Sequence, residues 1–190
     1  MQTGQARELV LLRHAKSAWP EDVPDHDRPL GPRGRRDAPD AGRWLRQAGH
    51  VPDIVVCSTA CRARETWQLV EGELGVRPLT VFDPGVYAAS AGSLLELVRW
   101  QPPAARTVLV VGHDPGLPEL ALALVAETES ARSHRKATRT PATALDQLRA
   151  KFPTAAIAVL ALSGPWSELA PGRARLASFV TPRSLRESQV

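Results

Sequence analysis

Residues 9–17, LVLLRHAKS, begin as a continuous apolar run and end abruptly in polar residues. A short apolar run without alternation is typical of a strand that is buried on both faces, as in a parallel sheet. Ligands of open α/β sheets bind beyond the carboxyl ends of the strands, where Arg13 and His14 fall. Taken alone, the pair is equally typical of a polar strand end at the surface, so its meaning depends on the rest of the chain.

Strand-like and helix-like segments alternate along the remainder of the sequence. Further strands are predicted at 53–57, 78–82, 107–111, 155–162 and 173–180, and helices at 34–49, 58–75, 93–100, 117–126 and 143–151. Ser58 or Thr59 is the expected N-cap of the second helix, and Thr143 that of the last. This succession predicts an α/β fold, a three-layer α/β/α sandwich with a mainly parallel central sheet whose last strands are candidates for antiparallel pairing.

Composition narrows the class of protein. The chain has 190 residues with 43% hydrophobic content, and we expect one domain over 1–190. No apolar run approaches the ~18 residues of a membrane span, and the polar N-terminus lacks a signal-peptide core, so cytoplasmic residence is expected. Cys57 and Cys61 are too few ligands for a zinc site, and we expect neither a metal nor another cofactor.

The net charge of +4 suits an anionic partner, either a phosphorylated substrate or nucleic acid. Residues 127–141 are predicted to be a flexible basic insert, with positive charge at Arg132, Arg135, Lys136 and Arg139. This segment lacks interleaved aromatic residues, which disfavours specific nucleic-acid binding.

Three predicted strand ends supply basic groups. Arg13 and His14 follow the first strand, Arg62 falls in the first turns of the helix after the second, and His113 follows the strand at 107–111. So much positive charge in one crevice requires an anion, and a tetrahedral phosphoryl group fits it. Arginine binds two phosphate oxygens at once, and a neutral imidazole can attack phosphorus to give a phosphohistidine. The residues therefore predict metal-free phosphoryl chemistry.

At these residues the sequence resembles the histidine phosphatase superfamily, and within it the small SixA-like branch of phosphohistidine phosphatases. The matching motifs are LLRHAKS at 11–17, DHDRPLGPRG at 25–34, STACRARET at 58–66, VGHDPGL at 111–117 and KFPTAAIAVL at 151–160. The resemblance spans most of the chain and implies the phosphoglycerate-mutase-like fold of that superfamily.

The resemblance also implies roles for particular residues. His14 would be the phosphorylated nucleophile, Arg13 and Arg62 would grip the phosphoryl oxygens, and His113 would complete the pocket. Ser17 occupies a position that can also touch phosphate. Two further motif residues, Arg28 and Glu65, are expected to orient loops and arginines rather than to perform chemistry.

Two departures from the wider family bear on the reaction. Residue 15 is Ala where the phosphoglycerate-mutase branch carries Gly. The proton donor to the leaving group is also open: Asp83 and Asp114 are candidates, but Asp83 is equally a turn former and Asp114 equally a helix cap. Without an acid, the site would suit good leaving groups, as in phosphohistidine or an acyl phosphate, and serve alkyl phosphate esters poorly.

The sequence thus predicts a metal-independent phosphatase that acts through a phosphohistidine intermediate on a phosphoprotein or a small phosphorylated molecule. Two alternatives stay open, a phosphoglycerate-mutase-like phosphotransferase and a non-catalytic protein that binds a phosphorylated ligand or nucleic acid. Membrane association is not expected, and the oligomeric state is not predicted.

Overall fold

The computed structural model describes residues 7–125 and 143–187. The predicted basic insert at 127–141 lies outside the described residues. Within the described ranges, none of the helices is long and apolar enough to cross a bilayer.

A six-stranded sheet forms the centre of the described structure. Its strands are β1 (Arg7–Arg13), β2 (Ile54–Ser58), β3 (Leu79–Asp83), β4 (Thr107–Gly112), β5 (Ile157–Leu162) and β6 (Ala174–Val180). They lie in the order β3-β2-β4-β1-β5-β6, and the first four are mutually parallel. The last two pair antiparallel, β5 with β1 and β6 with β5. The predicted mainly parallel sheet with antiparallel final strands is therefore confirmed.

Helices cover both faces of this sheet. They are α1 (Pro32–Gln47), α2 (Cys61–Leu74), α3 (Ala91–Arg99), α4 (Gly116–Leu124), α5 (Ala144–Ala150) and α6 (Pro182–Glu187). One apolar core lies between the sheet and α1 with α2, and a second lies between the sheet and α3, α4 and α5. These three layers match the predicted sandwich.

The alternation of side chains along β1 builds both cores at once. Val10 and Leu12 point towards α1 and α2, whereas Leu9 and Leu11 point towards α3, α4 and α5. All four are fully buried, and each such side chain contributes about 1.5–3 kcal/mol through burial. The apolar run of LVLLRHAKS is therefore a doubly covered central strand, as predicted.

Element boundaries differ from the sequence prediction at several helix and strand ends, including the starts of α1 and α2. Helix α1 begins at Pro32, a favoured first helical position, and continues through Pro39. The prediction that Ser58 or Thr59 caps α2 was wrong, because the N-cap is Ala60. Both hydroxyls bind histidines instead: Ser58 contacts His113 and Thr59 contacts His26. Thr143 does cap its helix, in a capping box with Asp146.

Candidate active site

Three neighbouring parallel strands bring the predicted site residues to one edge of the sheet. Strand β1 ends at Arg13, which lies opposite Gly112 at the end of β4, so His14 and His113 leave the sheet side by side. Strand β2 lies on the other flank of β4 and leads into α2, whose second residue is Arg62. The structure therefore brings together the four residues that the sequence picked out.

The orientation of His14 fixes which of its nitrogens is free to react. Its Nδ1 lies 2.8 Å from the carbonyl oxygen of Ala15 and donates to it. The opposite nitrogen, Nε2, therefore carries the lone pair and accepts from Nε of Arg62 at 3.3 Å. Burial lowers the pKa of His14 to about 3, with smaller contributions from the positive groups nearby. At neutral pH His14 is an uncharged imidazole with its Nε2 lone pair directed into the site.

His113 lies beside His14, with 5.0 Å between the two ring centroids. Its Nδ1 is 3.4 Å from Nη2 of Arg62, which can only donate, so Nδ1 accepts. The remaining nitrogen, Nε2, is then protonated and donates to Oγ of Ser58 at 2.8 Å. Burial, followed by the charge of Arg62, lowers the pKa of His113 to about 4. Both histidines of the site are thus neutral at pH 7.

The guanidinium of Arg62 is buried and is held by Asp25, a residue the sequence analysis did not select. Nη1 donates to the backbone carbonyl of Asp25 at 2.5 Å, and Nη2 donates to its Oδ2 at 2.9 Å. Asp25 in turn accepts from the hydroxyl of Tyr87 at Oδ2, 2.7 Å, and from Nη1 of Arg28 at Oδ1, 2.8 Å. The hydrogen bond from Tyr87 and then those from Arg62 lower the pKa of Asp25 to about 2.

Weak sequence signals for these two residues existed. Asp25 opens the DHDRPLGPRG motif, three residues before Arg28, but it shares its loop with Asp22 and Asp27. Tyr87 is the one tyrosine in the chain and follows the third strand. Neither lies in a periodic segment, so nothing in the sequence distinguished them from ordinary loop residues.

Arg13 is the last residue of β1, directly before His14, and it lines the same pocket as Arg62. Its Nη1 donates to the carbonyl oxygen of Phe152 at 2.6 Å, and its Nη2 lies 3.6 Å from a carboxylate oxygen of Asp114. Burial lowers the pKa of Arg13, and the charge of Asp114 opposes that shift. The guanidinium is therefore anchored at its end while it lines the same pocket as His14.

The two acid candidates are placed differently. Asp83 ends β3 opposite Ser58, and its carboxylate accepts from the backbone N–H of Gly85 at 2.7 Å, which makes it a turn former. Asp114 lines the pocket and pairs with Arg13. Its alternative role as cap of α4 is not supported, because the N-cap of that helix is Pro115. Of the two, the structure brings only Asp114 to the site.

The other predicted residues fall into two groups. Ser17 lines the pocket, and its Oγ accepts from Nη2 of Arg28 at 2.9 Å, so these two are in contact. Glu65 lies outside the pocket, where it accepts from the backbone N–H of Leu30 at 2.6 Å and from Arg35. Glu65 thereby ties α2 to the segment that carries Arg28.

The pocket is a cavity of about 320 Å³ that suits a small anionic group. Its lining includes four cations, two carboxylates and two neutral histidines, and these are Arg13, Lys16, Arg28, Arg62, Asp25, Asp114, His14 and His113. Four positive and two negative charges leave a net charge of +2, which complements a phosphoryl dianion. Trp19 stands at the rim, and the Arg28 guanidinium lies over its ring at 3.1 Å.

A larger surface groove, of about 450 Å³, lies between α2 and β3 and is lined by residues such as Trp67 and Phe82. It contains none of the strand-end residues, so the chemistry belongs to the smaller pocket. Within residues 7–125 and 143–187, no group of three or more His, Cys, Asp or Glu side chains is arranged to hold a metal ion.

Comparison with known proteins identifies the family to which the chain belongs. Residues 9–85 match the family model described as histidine phosphatase superfamily, branch 1. An uncharacterized Mycobacterium tuberculosis protein, Rv1276c, is 39% identical over 172 residues, which is 90% of this chain and 100% of the relative.

Two solved structures of SixA proteins share the whole fold. The one from Nakamurella multipartitia is 38% identical with a TM-score of 0.76, covering 93% of this chain and 96% of the other. The one from Agrobacterium tumefaciens is 27% identical with a TM-score of 0.73, covering 93% and 98%. With the strand-end residues in place, these similarities make the protein a phosphatase-type enzyme. The chain belongs to the histidine phosphatase superfamily, in its SixA-like branch.

Proposed function

We propose that this protein is a metal-independent phosphatase that forms a phosphohistidine at His14 and acts on phosphohistidine or another small phosphorylated substrate. One observation carries the proposal: a neutral imidazole presents the lone pair of its Nε2 to Arg62, inside a pocket of net positive charge that Arg13 also lines. Both SixA proteins above are named as phosphohistidine phosphatases, which supports the same reading.

In the first step, Nε2 of His14 attacks phosphorus, and the bond from phosphorus to the leaving group breaks with its electron pair on that group. Arg13 and Arg62 hold the phosphoryl oxygens and stabilise the charge that develops on them. The hydrogen bond from Nδ1 to Ala15 keeps the ring in the reactive tautomer. A water molecule then attacks phosphorus, and the bond from phosphorus to Nε2 breaks with its electron pair on the nitrogen. This step releases inorganic phosphate, which keeps the protons of the water, and restores neutral His14.

In this scheme His113 donates a hydrogen bond to the phosphoryl group only after it has become protonated. Its Nδ1 accepts from Arg62, so neutral His113 has no proton at that nitrogen to donate to phosphate. A phosphoryl dianion at van der Waals distance raises the pKa of a neighbouring imidazole, because the opposite charge favours its protonated form. With phosphate bound, His113 takes up a proton and donates through Nδ1 while it still donates to Ser58 through Nε2.

The contacts of the three carboxylates near the site indicate which leaving groups the enzyme would favour. Asp25 has a pKa of about 2 and is ionised at neutral pH, and Asp114 faces the positive charge of Arg13. Asp83 is occupied with its own turn. In this scheme protonated His113 donates to a phosphoryl oxygen rather than to the leaving group. The site therefore favours leaving groups that depart without a proton from the protein, and the imidazole of a phosphohistidine is such a group.

A rapid-quench experiment tests the nucleophile. The protein is mixed with a radiolabelled aryl phosphate and quenched under alkaline conditions, in which phosphohistidine survives. We expect a labelled, acid-labile phosphoprotein that His14→Asn abolishes, with kcat reduced about 1,000-fold or more. His50→Asn is the matched control, since His50 pairs with Glu8 away from the pocket, and it should keep both signals. Normal turnover by His14→Asn would contradict the proposal.

A substrate comparison tests the leaving-group argument. We expect kcat/KM for a phosphohistidine peptide to exceed that for an alkyl phosphate by at least about 100-fold, as loss of general acid catalysis requires. Equal turnover of the two substrates, unaffected by Asp114→Asn or Asp83→Asn, would remove the basis of the argument. The phosphotransferase alternative is tested in the same assay, because transfer to an added phosphoglycerate would replace release of inorganic phosphate.

A further inference from the structure

We infer that Asp25 is a positioning residue that turns the phosphate-binding edge of Arg62 towards His14 and His113. This inference deepens the proposed function and, for its kinetic readout, rests on it. Asp25 reaches Arg62 through two separate groups, its backbone carbonyl and its carboxylate. Asp25 also connects Arg28 of the DHDRPLGPRG motif to Arg62, because Arg28 donates to the Asp25 carboxylate rather than contacting Arg62.

The donors of Arg62 divide into two edges. Nη1 and one hydrogen of Nη2 form the outer edge, and Asp25 occupies both with its carbonyl oxygen and Oδ2. Nε and the other hydrogen of Nη2 form the inner edge, and these face Nε2 of His14 at 3.3 Å and Nδ1 of His113 at 3.4 Å. Because the guanidinium is planar, fixing the outer edge fixes the plane and direction of the inner one. The inner fork matches the spacing of two phosphoryl oxygens.

The Asp25 carboxylate is itself held from two further directions. Tyr87 donates to Oδ2 and Arg28 donates to Oδ1, and Arg28 is in turn anchored on Ser17 and on the carbonyl of Ala18. An exposed ion pair is usually weak, and the Asp25 side chain is 52% exposed. Here, however, the arginine is only 8% exposed and the contact uses two acceptors, so the geometry is well defined.

A simpler role for Asp25 would be that of a counter-ion, whose negative charge offsets the positive charge of the pocket arginines. The two roles predict different effects on phosphate binding and on the chemical step. Removing a mere counter-ion would strengthen anion binding and leave the chemical step intact. Removing a positioning residue would slow the chemical step, because small misalignments of a catalytic group have large effects on kcat.

The experiment compares Asp25→Asn with Asp27→Asn. Asp27 belongs to the same short turn, Asp25–Asp27, and loses the same charge, but its carboxylate contacts His26 rather than an arginine. For Asp25→Asn we expect kcat for an aryl phosphate to fall about 10- to 100-fold, whereas the Kd of inorganic phosphate changes less than about threefold. Asp27→Asn should match the wild type. An Asp25→Asn enzyme with wild-type kcat would overturn the inference, as would equal losses in kcat and phosphate affinity.

A double-mutant cycle with Arg62→Ala identifies the route of the effect. If Asp25 acts through Arg62, then Asp25→Asn lowers kcat in the wild type but by less than about twofold in the Arg62→Ala background. Equal losses in the two backgrounds would overturn the inference. Urea denaturation of all four proteins confirms that each is folded.

The same cycle separates this inference from the proposed function. If the wild type has no phosphatase activity, the proposed function fails, and the Kd of inorganic phosphate replaces kcat as the readout. Asp25→Asn should then tighten phosphate binding in the Arg62→Ala background, where only its charge matters, more than in the wild type. Equal changes in the two backgrounds would overturn the inference independently of activity.

Discussion

Acidification should destabilise this protein through the two histidines that are kept neutral in the pocket. His14 and His113 have pKa values of about 3 and about 4 in the folded protein, and burial is the main cause of both shifts. An unfolded chain titrates its histidines near 6.5. Between these values the unfolded state binds protons that the folded state does not, so the free energy of unfolding falls as the pH falls below about 6.5.

The size of the effect follows from the distance between the two pKa ranges. Each pH unit below about 6.5 costs about 1.4 kcal/mol per histidine until the folded pKa is reached. Lowering the pH from 6.5 to 4.5 therefore costs about 2.5 kcal/mol for each of the two, or about 5 kcal/mol together. That is a large part of the stability of an ordinary domain. Asp25, with a pKa of about 2, stays ionised over this interval.

Urea denaturation at pH 6.5 and 4.5, in buffer free of phosphate and sulfate, measures this loss, and the five tryptophans provide the fluorescence signal. His14→Asn should lose about 2.5 kcal/mol less than the wild type over the same interval. Asn can still donate to the carbonyl of Ala15, so the comparison isolates the titration. His113→Asn should reduce the loss in the free energy of unfolding by a similar amount. Equal losses in the wild type and in both variants would refute the reasoning that the folded pocket holds these rings neutral.

Two further predictions concern the scaffold around the site. A Cβ on Gly34 in α1 would clash with the backbone oxygen of Lys16. Gly34→Ala should therefore lower the free energy of unfolding by about 1–3 kcal/mol and displace the backbone of Lys16, two residues after His14. Gly72→Ala in α2 is the control, because its Cβ meets open space; urea denaturation should find it about 0.5–1 kcal/mol more stable than the wild type. The buried carboxylate of Asp37 accepts from Arg186 of α6 at 2.8 Å, so Asp37→Asn should lower the free energy of unfolding by about 1–3 kcal/mol. Its turnover should stay at the wild-type level, and a fall in kcat without a fall in stability would contradict a purely structural role.

The sheet could be predicted because its strands are short apolar runs that need no information from elsewhere in the chain. TVLVVG, for example, is β-branched and apolar, and it forms β4 at the centre of the sheet. The positions of Arg13, Arg62 and His113 followed from a general property of parallel sheets, since the ends of neighbouring strands meet at one edge. The boundary of α2 was less predictable, because Ser58 had a competing partner in His113.

The environment of Arg62 could not be predicted in the same way. Asp25 reaches it from a loop 37 residues earlier in the chain, and Tyr87 reaches Asp25 from 62 residues later. Such contacts depend on how irregular loops fold back over the sheet, and these loops have no hydrophobic period to indicate their path. The sequence could therefore identify the basic groups that line the pocket, but it could not identify Asp25, which binds Arg62, or Tyr87, which binds Asp25.

The position of β1 has a consequence for the order in which the protein folds during synthesis. This strand is synthesised before both of its partners, which are residues 107–112 of β4 and 157–162 of β5. A ribosome releases these partners only after most of the chain has been translated, so β1 must wait with its apolar side chains unpaired. His14 therefore acquires its pocket neighbours Arg62 and His113 only after the segments that carry them have been translated.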